Sequence, residues 1–129
     1  MFIEALGARV RFLEPAEHDG QVAGVSQLPY VAAVALMSAV AGGSAWGDAA
    51  MLAGTGFNIM TRLAASNSEK NRDICLSNSG ALTRWLNQYI TELTDLRDRI
   101  IAHDSSLDQK FARVQQLRQQ WQASHDIEE

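Results

Sequence analysis

Ala81-Leu82-Thr83-Arg84-Trp85-Leu86-Asn87-Gln88-Tyr89-Ile90-Thr91-Glu92-Leu93 carries its apolar side chains at positions 81, 82, 85, 86, 89, 90 and 93. Steps of three and four residues gather these side chains on one stripe of an α-helix, because a turn takes about 3.6 residues. The stripe stays in phase back to Ile74 and forward to Leu96 and Ile100, which predicts one long helix running through Ser79-Gly80. Gly80 in its interior costs roughly 1 kcal/mol against alanine, so a bend or a close helix crossing is expected there.

Downstream, Ser105 or Ser106 is placed to cap a last helix whose stripe is Leu107, Phe111, Val114, Leu117 and Trp121. Upstream, Ser66 followed by Glu69 has the spacing of a capping box and opens a helix near Asn67. From Ala16 to about Ala41 the pattern is helical and apolar on most faces, with Pro29 expected to kink it and Gly42-Gly43 to end it. A second helix follows Ser44 to about Ala53, and the turn Gly54 to Gly56 leads into a short helix ending near Ala65. Only Ala8 to Leu13, before Pro15, alternates like a strand. A lone strand must pair with a copy of itself, pack on the helices or be the last piece of a sheet otherwise lacking, and the third reading is favoured. The expected fold class is therefore all-α with a short N-terminal strand remnant. Residues 1–15 are read as the last strand and linker of a preceding domain, and 16–129 as the helical domain.

A chain of 129 residues suits one modest domain. A formal charge of −4 with both signs mixed along the C-terminal half offers no basic face, which argues against nucleic acid as a partner. The single cysteine, Cys75, excludes an internal disulfide and reads as a small apolar side chain in a reducing compartment. Charges at Glu4 and Arg9 interrupt any signal-peptide core, and the apolar run Val31 to Ala41 is short of the about 20 residues a bilayer requires. The expectation is a cytoplasmic protein without membrane contact, with Val31 to Ala41 in a buried helix. Three tryptophans and a broad apolar stripe exceed what one small subunit covers comfortably, which predicts a homodimer through the helical region.

Chemistry concentrates at one charge. Between Asp19 and Glu69 the only charged side chains are Asp48 and Arg62. A guanidinium in such apolar surroundings calls for a carboxylate from this chain, a second subunit or a ligand. The run Gly54-Thr55-Gly56-Phe57-Asn58-Ile59-Met60-Thr61-Arg62 reads as a glycine turn feeding a short helix, able to aim backbone N–H groups and a charged fork at one anion. Ser26 and Gln27 stand just before the expected proline kink, where they serve either freed carbonyls or a ligand-facing notch. Converging with Arg62, they would form a small carboxylate pocket in apolar walls.

Other groups read as structural. His18, His103 and His125 are too far apart in sequence, and too isolated from other donors, for a metal site. His18 suits helix capping and surface hydrogen bonding, His103 suits the dipole at the end of the long helix, and Asn78 reads as an inter-helix hydrogen bond. Gly54-Thr55-Gly56 follows helix rather than strand, so no dinucleotide site is expected and no cofactor is assigned to this chain.

Taken together, Glu17-His18-Asp19, Ser26-Gln27-Leu28-Pro29, Ala53-Gly54-Thr55-Gly56-Phe57, Thr61-Arg62-Leu63-Ala64-Ala65-Ser66, Arg72-Asp73-Ile74 and Asn78 match one family in order and in gaps. The chain resembles, from about Leu6 to Trp121, the C-terminal helical domain of prephenate dehydrogenases. That resemblance implies a dimerisation and substrate-binding domain that follows a Rossmann domain, whose last strand Ala8 to Leu13 would be. It implies NAD(P)-dependent oxidative decarboxylation of prephenate or arogenate in tyrosine biosynthesis, with NAD(P) and the catalytic histidine supplied by a separate nucleotide-binding domain. The chain is thus not expected to be catalytic alone. Arg62 falls where the family grips a substrate carboxylate, and the substrate-binding set implied is Arg62, Gln27, Ser26, Thr61 and Gly56. Gln27 replaces a family histidine, Asn58 an acidic residue four positions before the arginine, and Ser68, Lys70 and Asn71 a proline and a Met-Trp pair. These differences favour an alternative, a stand-alone homodimeric interaction module that has lost substrate binding.

Overall fold

The computed structural model of the chain describes Gly7 and residues 10–125, and all regular structure among them is helical. Helix α1 (Pro15–Val22) opens on Pro15, whose fixed φ suits a first helical position where the missing N–H costs nothing. It continues into a π turn (Ala23–Gln27), in which the Leu28 amide reaches back five residues to the Ala23 carbonyl, and then into α2 (Leu28–Ala41). The result is one helical run of 27 residues. Pro29 lies in the first turn of α2, so the residue expected to kink the helix instead follows a π turn. Proline removes an amide and crowds the preceding turn, and a wider coil relieves both demands.

Gly42 and Gly43 end the run as expected, with the Gly42 amide on the Ser38 carbonyl at 2.9 Å. Short helices α3 (Trp46–Leu52) and α4 (Thr55–Thr61) follow, then a 3-10 turn (Arg62–Ala65), α5 (Ser68–Ser77), α6 (Ser79–Ile101) and α7 (Leu107–His125). The single long helix expected across Ser79-Gly80 is two helices that meet at Asn78, where φ −123° and ψ 33° leave the helical region. The apolar stripe keeps its phase across the break, which is why periodicity alone does not reveal it. Gly80 itself faces open space. At the start of α5 the cap is Asn67, whose Oδ1 accepts the Lys70 amide at 2.8 Å, while Ser66 turns its hydroxyl to the Leu63 carbonyl. His18 makes no cap, while the surface hydrogen bond also expected of it is formed with Asp19 Oδ1 at 3.5 Å.

The strand expected over Ala8 to Leu13 is not formed in its described part: Val10–Leu13 pairs with no other segment, and a strand without a partner leaves its amides to water. Ala8 and Arg9 lie outside the described residues.

The chain divides into two compact units after Asn87. In the first, Ala23, Ala81 and Leu82 form the buried centre, with Leu28, Val31, Cys75 and Leu86 packed against it. Helix α2 also lies against α4 and the 3-10 turn. Small residues at 23 and 81 let helix backbones approach, and burying Leu82 contributes about 2 kcal/mol. The second unit is a hairpin of the C-terminal part of α6 and α7. Its turn is a Schellman closure, with the Asp104 amide on the Arg99 carbonyl at 3.0 Å and His103 in the left-handed region at φ 51°.

The buried helix expected over Val31 to Ala41 is a correction. Within α2 only Ala33 is buried, and Val34 and Val40 are exposed. By length and composition alone the run Pro15–Ala41 would also suffice to cross a membrane. The uninterrupted apolar stretch is short, but the π turn carries the helix through Ser26 and Gln27 without a break. Elsewhere Met51 and Leu52 are 86% and 85% exposed, and Phe111, Val114, Leu117 and Trp121 all face outward along α7. Single exposed apolar residues are ordinary, but aligned rows of them mark surfaces that other protein covers.

Candidate functional site

Arg62 opens the 3-10 turn and lines a cleft of about 380 Å³ with Met37, Asn58, Thr61, Ala64 and Ala65. Helix α4 supplies Asn58 and Thr61 on one face, since three residues make nearly one turn, and Met37 comes from α2 opposite. Among the described residues Arg62 has no ion-pair partner, and it is exposed. The expectation of a desolvated guanidinium is therefore corrected: in a single chain water solvates it, and no internal carboxylate is required.

The polar groups of the cleft are sorted by what they already do. Thr61 donates its hydroxyl hydrogen to the Phe57 carbonyl at 2.7 Å, so its oxygen is left as an acceptor. The donors available to an anion are the Arg62 fork and the Asn58 amide. With a neutral residue at 58, nothing in the cleft competes with an incoming carboxylate for the guanidinium. Gly56 lies in the first turn of α4, exposed and outside the cleft lining.

Ser26 and Gln27 also lie outside that lining. They stand in the π turn just before α2, and Met37 is about 15 Å further along the helix axis from Gln27 at the usual rise per residue. Ser26 is exposed on the π turn. Gln27 is 9% exposed, and its Oε1 accepts from Asn78 Nδ2 at 3.2 Å. The same nitrogen donates to the Asp19 carbonyl at 2.8 Å, and Trp85 Nε1 donates to the Gly20 carbonyl at 2.7 Å. The inter-helix role read for Asn78 is thus what the structure shows. The same break that ends α5 turns this side chain onto the π turn.

Sequence reasoning missed Trp85 and Gly24 as a pair, and Met37, Ala64 and Ala65 as walls. Trp85 reads as one more member of an apolar stripe, and no pattern in the chain marks its indole N–H for a carbonyl 65 residues away. No group of His, Cys, Asp and Glu able to hold a metal is present among the described residues.

Residues 14–119 match the family described as prephenate dehydrogenase, dimerization domain. The chain belongs to that family. It is 33% identical over 128 residues to the cyclohexadienyl dehydrogenase of Zymomonas mobilis subsp. mobilis, a match that covers 96% of this chain and 43% of that protein. Among solved structures it is similar to Synechocystis arogenate dehydrogenase (30% identity, TM-score 0.72, 96% of this chain and 44% of the other). It is also similar to prephenate dehydrogenase from A. aeolicus in complex with hydroxyphenyl propionate and NAD+ (28% identity, TM-score 0.81, 91% and 42%). The chain therefore spans less than half the length of these relatives. The all-α fold read from the sequence is that of the family's helical domain.

Proposed function

We propose that this chain supplies the dimerisation surface and a substrate-carboxylate site to an oxidoreductase of the prephenate or arogenate type. Arg62 carries the reading: an exposed fork beside Asn58 and Thr61, in a cleft with no internal anion among the described residues. A bidentate arginine–carboxylate pair needs that arrangement. In this reading residues 1–15 are the end of a nucleotide-binding domain, and NAD(P) and the hydride acceptor site belong to that domain rather than to the helices. The reaction is oxidative decarboxylation in tyrosine biosynthesis, in the cytoplasm, and the helical chain does not turn over substrate by itself. Rows of exposed apolar side chains on α3, α4 and α7 support a homodimer as its assembled state.

The test is calorimetric titration of the purified chain with prephenate, arogenate and 3-(4-hydroxyphenyl)propionate, beside an Arg62→Ala variant. Binding by the parent chain that weakens on Arg62→Ala is expected, and absence of binding to all three by the parent sinks the ligand site.

A second reading, a homodimeric interaction module without a ligand, draws on a separate observation. Gln27 and Ser26 do not share the Arg62 cleft, so the carboxylate pocket is not assembled from all its expected members in one chain. Dimer formation without any ligand binding would select it.

A further inference from the structure

The Asn78 side chain touches two groups of unequal character. One is the Asp19 main-chain carbonyl, which only accepts, and the other is the Gln27 side-chain amide, which presents an oxygen on one side and an NH2 on the other. Because the carbonyl cannot donate, the Asn78 atom 2.8 Å from it has to be the nitrogen. That nitrogen also lies 3.2 Å from the nearer atom of the Gln27 amide, which then has to be the oxygen. Polarity thus passes from a fixed main-chain dipole through Asn78 to Gln27. Trp85 on the neighbouring Gly20 carbonyl holds the same stretch of helix in place.

The consequence lies at the other end of Gln27. Its oxygen is spent on Asn78, and its NH2 meets no acceptor among the described residues. No buried side-chain nitrogen or oxygen among them lacks a partner, so this NH2, on a residue 9% exposed, keeps a narrow contact with solvent. A glutamine free to rotate its amide offers a donor or an acceptor as the ligand demands. Here it does not.

We infer that Asn78 is a positioning residue that fixes the Gln27 amide with its NH2 outward, so that the π turn presents hydrogen-bond donors to a carboxylate or carbonyl oxygen. This rests on the carboxylate-binding reading above, and it adds a polarity that depends on neither Arg62 nor its cleft. Position 27 then selects ligands by what they accept, without carrying a charge or a proton.

The orientation is read directly from the side-chain amide resonances of the 129-residue chain labelled with nitrogen-15. Both Asn78 Nδ2 hydrogens are expected to exchange slowly with water, and those of Gln27 quickly. In Asn78→Asp the carboxylate only accepts, so the Gln27 amide turns over and its hydrogens become the protected ones. A role limited to packing leaves the exchange of Gln27 unchanged in that variant. Rapid exchange at Asn78 in the parent chain, or no change at Gln27 on Asn78→Asp, overturns the inference.

The ligand arm uses 3-(4-hydroxyphenyl)propionate as probe, with Gln27→Glu as a second variant that keeps an acceptor for Asn78 but has no donor to offer. Shifts of the Gln27 NH2 signals are expected on adding probe to the parent chain. Either variant should lose about ten-fold or more in affinity, the worth of a hydrogen bond to a charged group. Equal affinity in all three proteins overturns the inference. No binding by the parent chain, with the exchange pattern as stated, overturns the carboxylate-site reading and leaves the orientation of Gln27 standing.

Discussion

The indole of Trp85 fills the space that a side chain at residue 24 would need: a β-carbon on Gly24 would come within 2.7 Å of the ring. The same ring donates to the Gly20 carbonyl, one turn earlier. Glycine at 24 is thus a packing requirement, unconnected with backbone freedom. Gly24→Ala is expected to lower stability by about 1–3 kcal/mol, as overpacking does where the obstructing group is a large ring. Trp85→Phe keeps most of the apolar contact and loses the hydrogen bond, for about 1 kcal/mol. Chemical denaturation followed by circular dichroism measures both, and an unchanged midpoint for Gly24→Ala would show that the ring moves aside.

This contact also shows where sequence reading stops. The stripe from Ile74 to Ile100 places helices correctly, and glycine pairs and caps mark their ends to within a residue or two, because those signals are local. The break at Asn78 leaves no mark in the local apolar pattern. It accompanies the Asn78 contacts with Asp19 and Gln27, which lie 59 and 51 residues away. The Arg62 cleft was legible in part for the same reason: Asn58, Thr61 and Arg62 share one short segment, whereas Met37 arrives from α2 by tertiary packing. Composition along the chain does not report which face of a segment meets water, so Arg62 reads as desolvated from its neighbours and is exposed in the fold.

Acid should loosen the hairpin of α6 and α7. Lys110 donates to Asp95 Oδ2 at 2.7 Å and to Glu92 Oε2 at 2.8 Å, and Arg99 donates to Asp95 Oδ2 at 3.0 Å. The hydrogen bond from Lys110, and after it that from Arg99, hold the Asp95 carboxyl below its ordinary 3.8. Asp104 is held down in the same sense, first by the Ser106 backbone N–H. A carboxyl with a depressed folded pKa stabilises the fold above its unfolded value, and that contribution is lost as pH falls through the folded one. Lys110 is raised above its ordinary 10.5, first by Asp95, so its contribution is complete below that value and is lost as pH rises through the raised one. Stability should therefore be flat across neutral pH, decline below about pH 4 and decline again in strong alkali. Asp95→Asn should flatten the acid limb, and added salt should shrink it. Melting temperatures across an acid series for the two proteins decide it: parallel curves would mean that Asp95 is not the group responsible.

His103 sits at φ 51°, a conformation that closes the Schellman turn and that glycine or asparagine adopts more easily than histidine. His103→Gly is expected to be neutral or to raise stability by up to about 1 kcal/mol, since relief of the left-handed residue offsets the added freedom of the unfolded chain. His103→Val should lower it by about 1–2 kcal/mol, because a branched β-carbon fits that region worst. A loss on His103→Gly comparable to that on His103→Val would mean that the imidazole makes a contact worth more than the backbone relief.

Removing Arg62 should separate binding from folding. Its side chain is exposed and holds no ion pair among the described residues, so Arg62→Ala is expected to move stability by no more than about 0.5 kcal/mol. If the cleft takes a carboxylate, the same change should weaken that ligand by about ten-fold or more. A large fall in melting temperature would contradict the exposed position and assign Arg62 to the fold.

The row Phe111, Val114, Leu117 and Trp121 on α7 has exposures of 55%, 53%, 49% and 47%, and their spacing keeps them on one side of the helix. A face of that kind is stable in water when a second apolar surface covers it, and for a chain of this family the partner proposed is a second copy. Sedimentation at micromolar concentration should show a dimer of the 14.1 kDa chain. Val114→Asp with Leu117→Asp should shift it toward monomer, because a carboxylate pressed into an apolar contact is either desolvated at several kcal/mol or keeps the surfaces apart. The helices should survive, since neither side chain is buried within the chain and isolated surface changes cost little. A dimer that persists in the double variant would move the interface to the other exposed apolar rows, those of Met51 and Leu52 on α3 and Ile59 and Met60 on α4. A parent chain that sediments only as a monomer would remove the dimer from the proposal altogether.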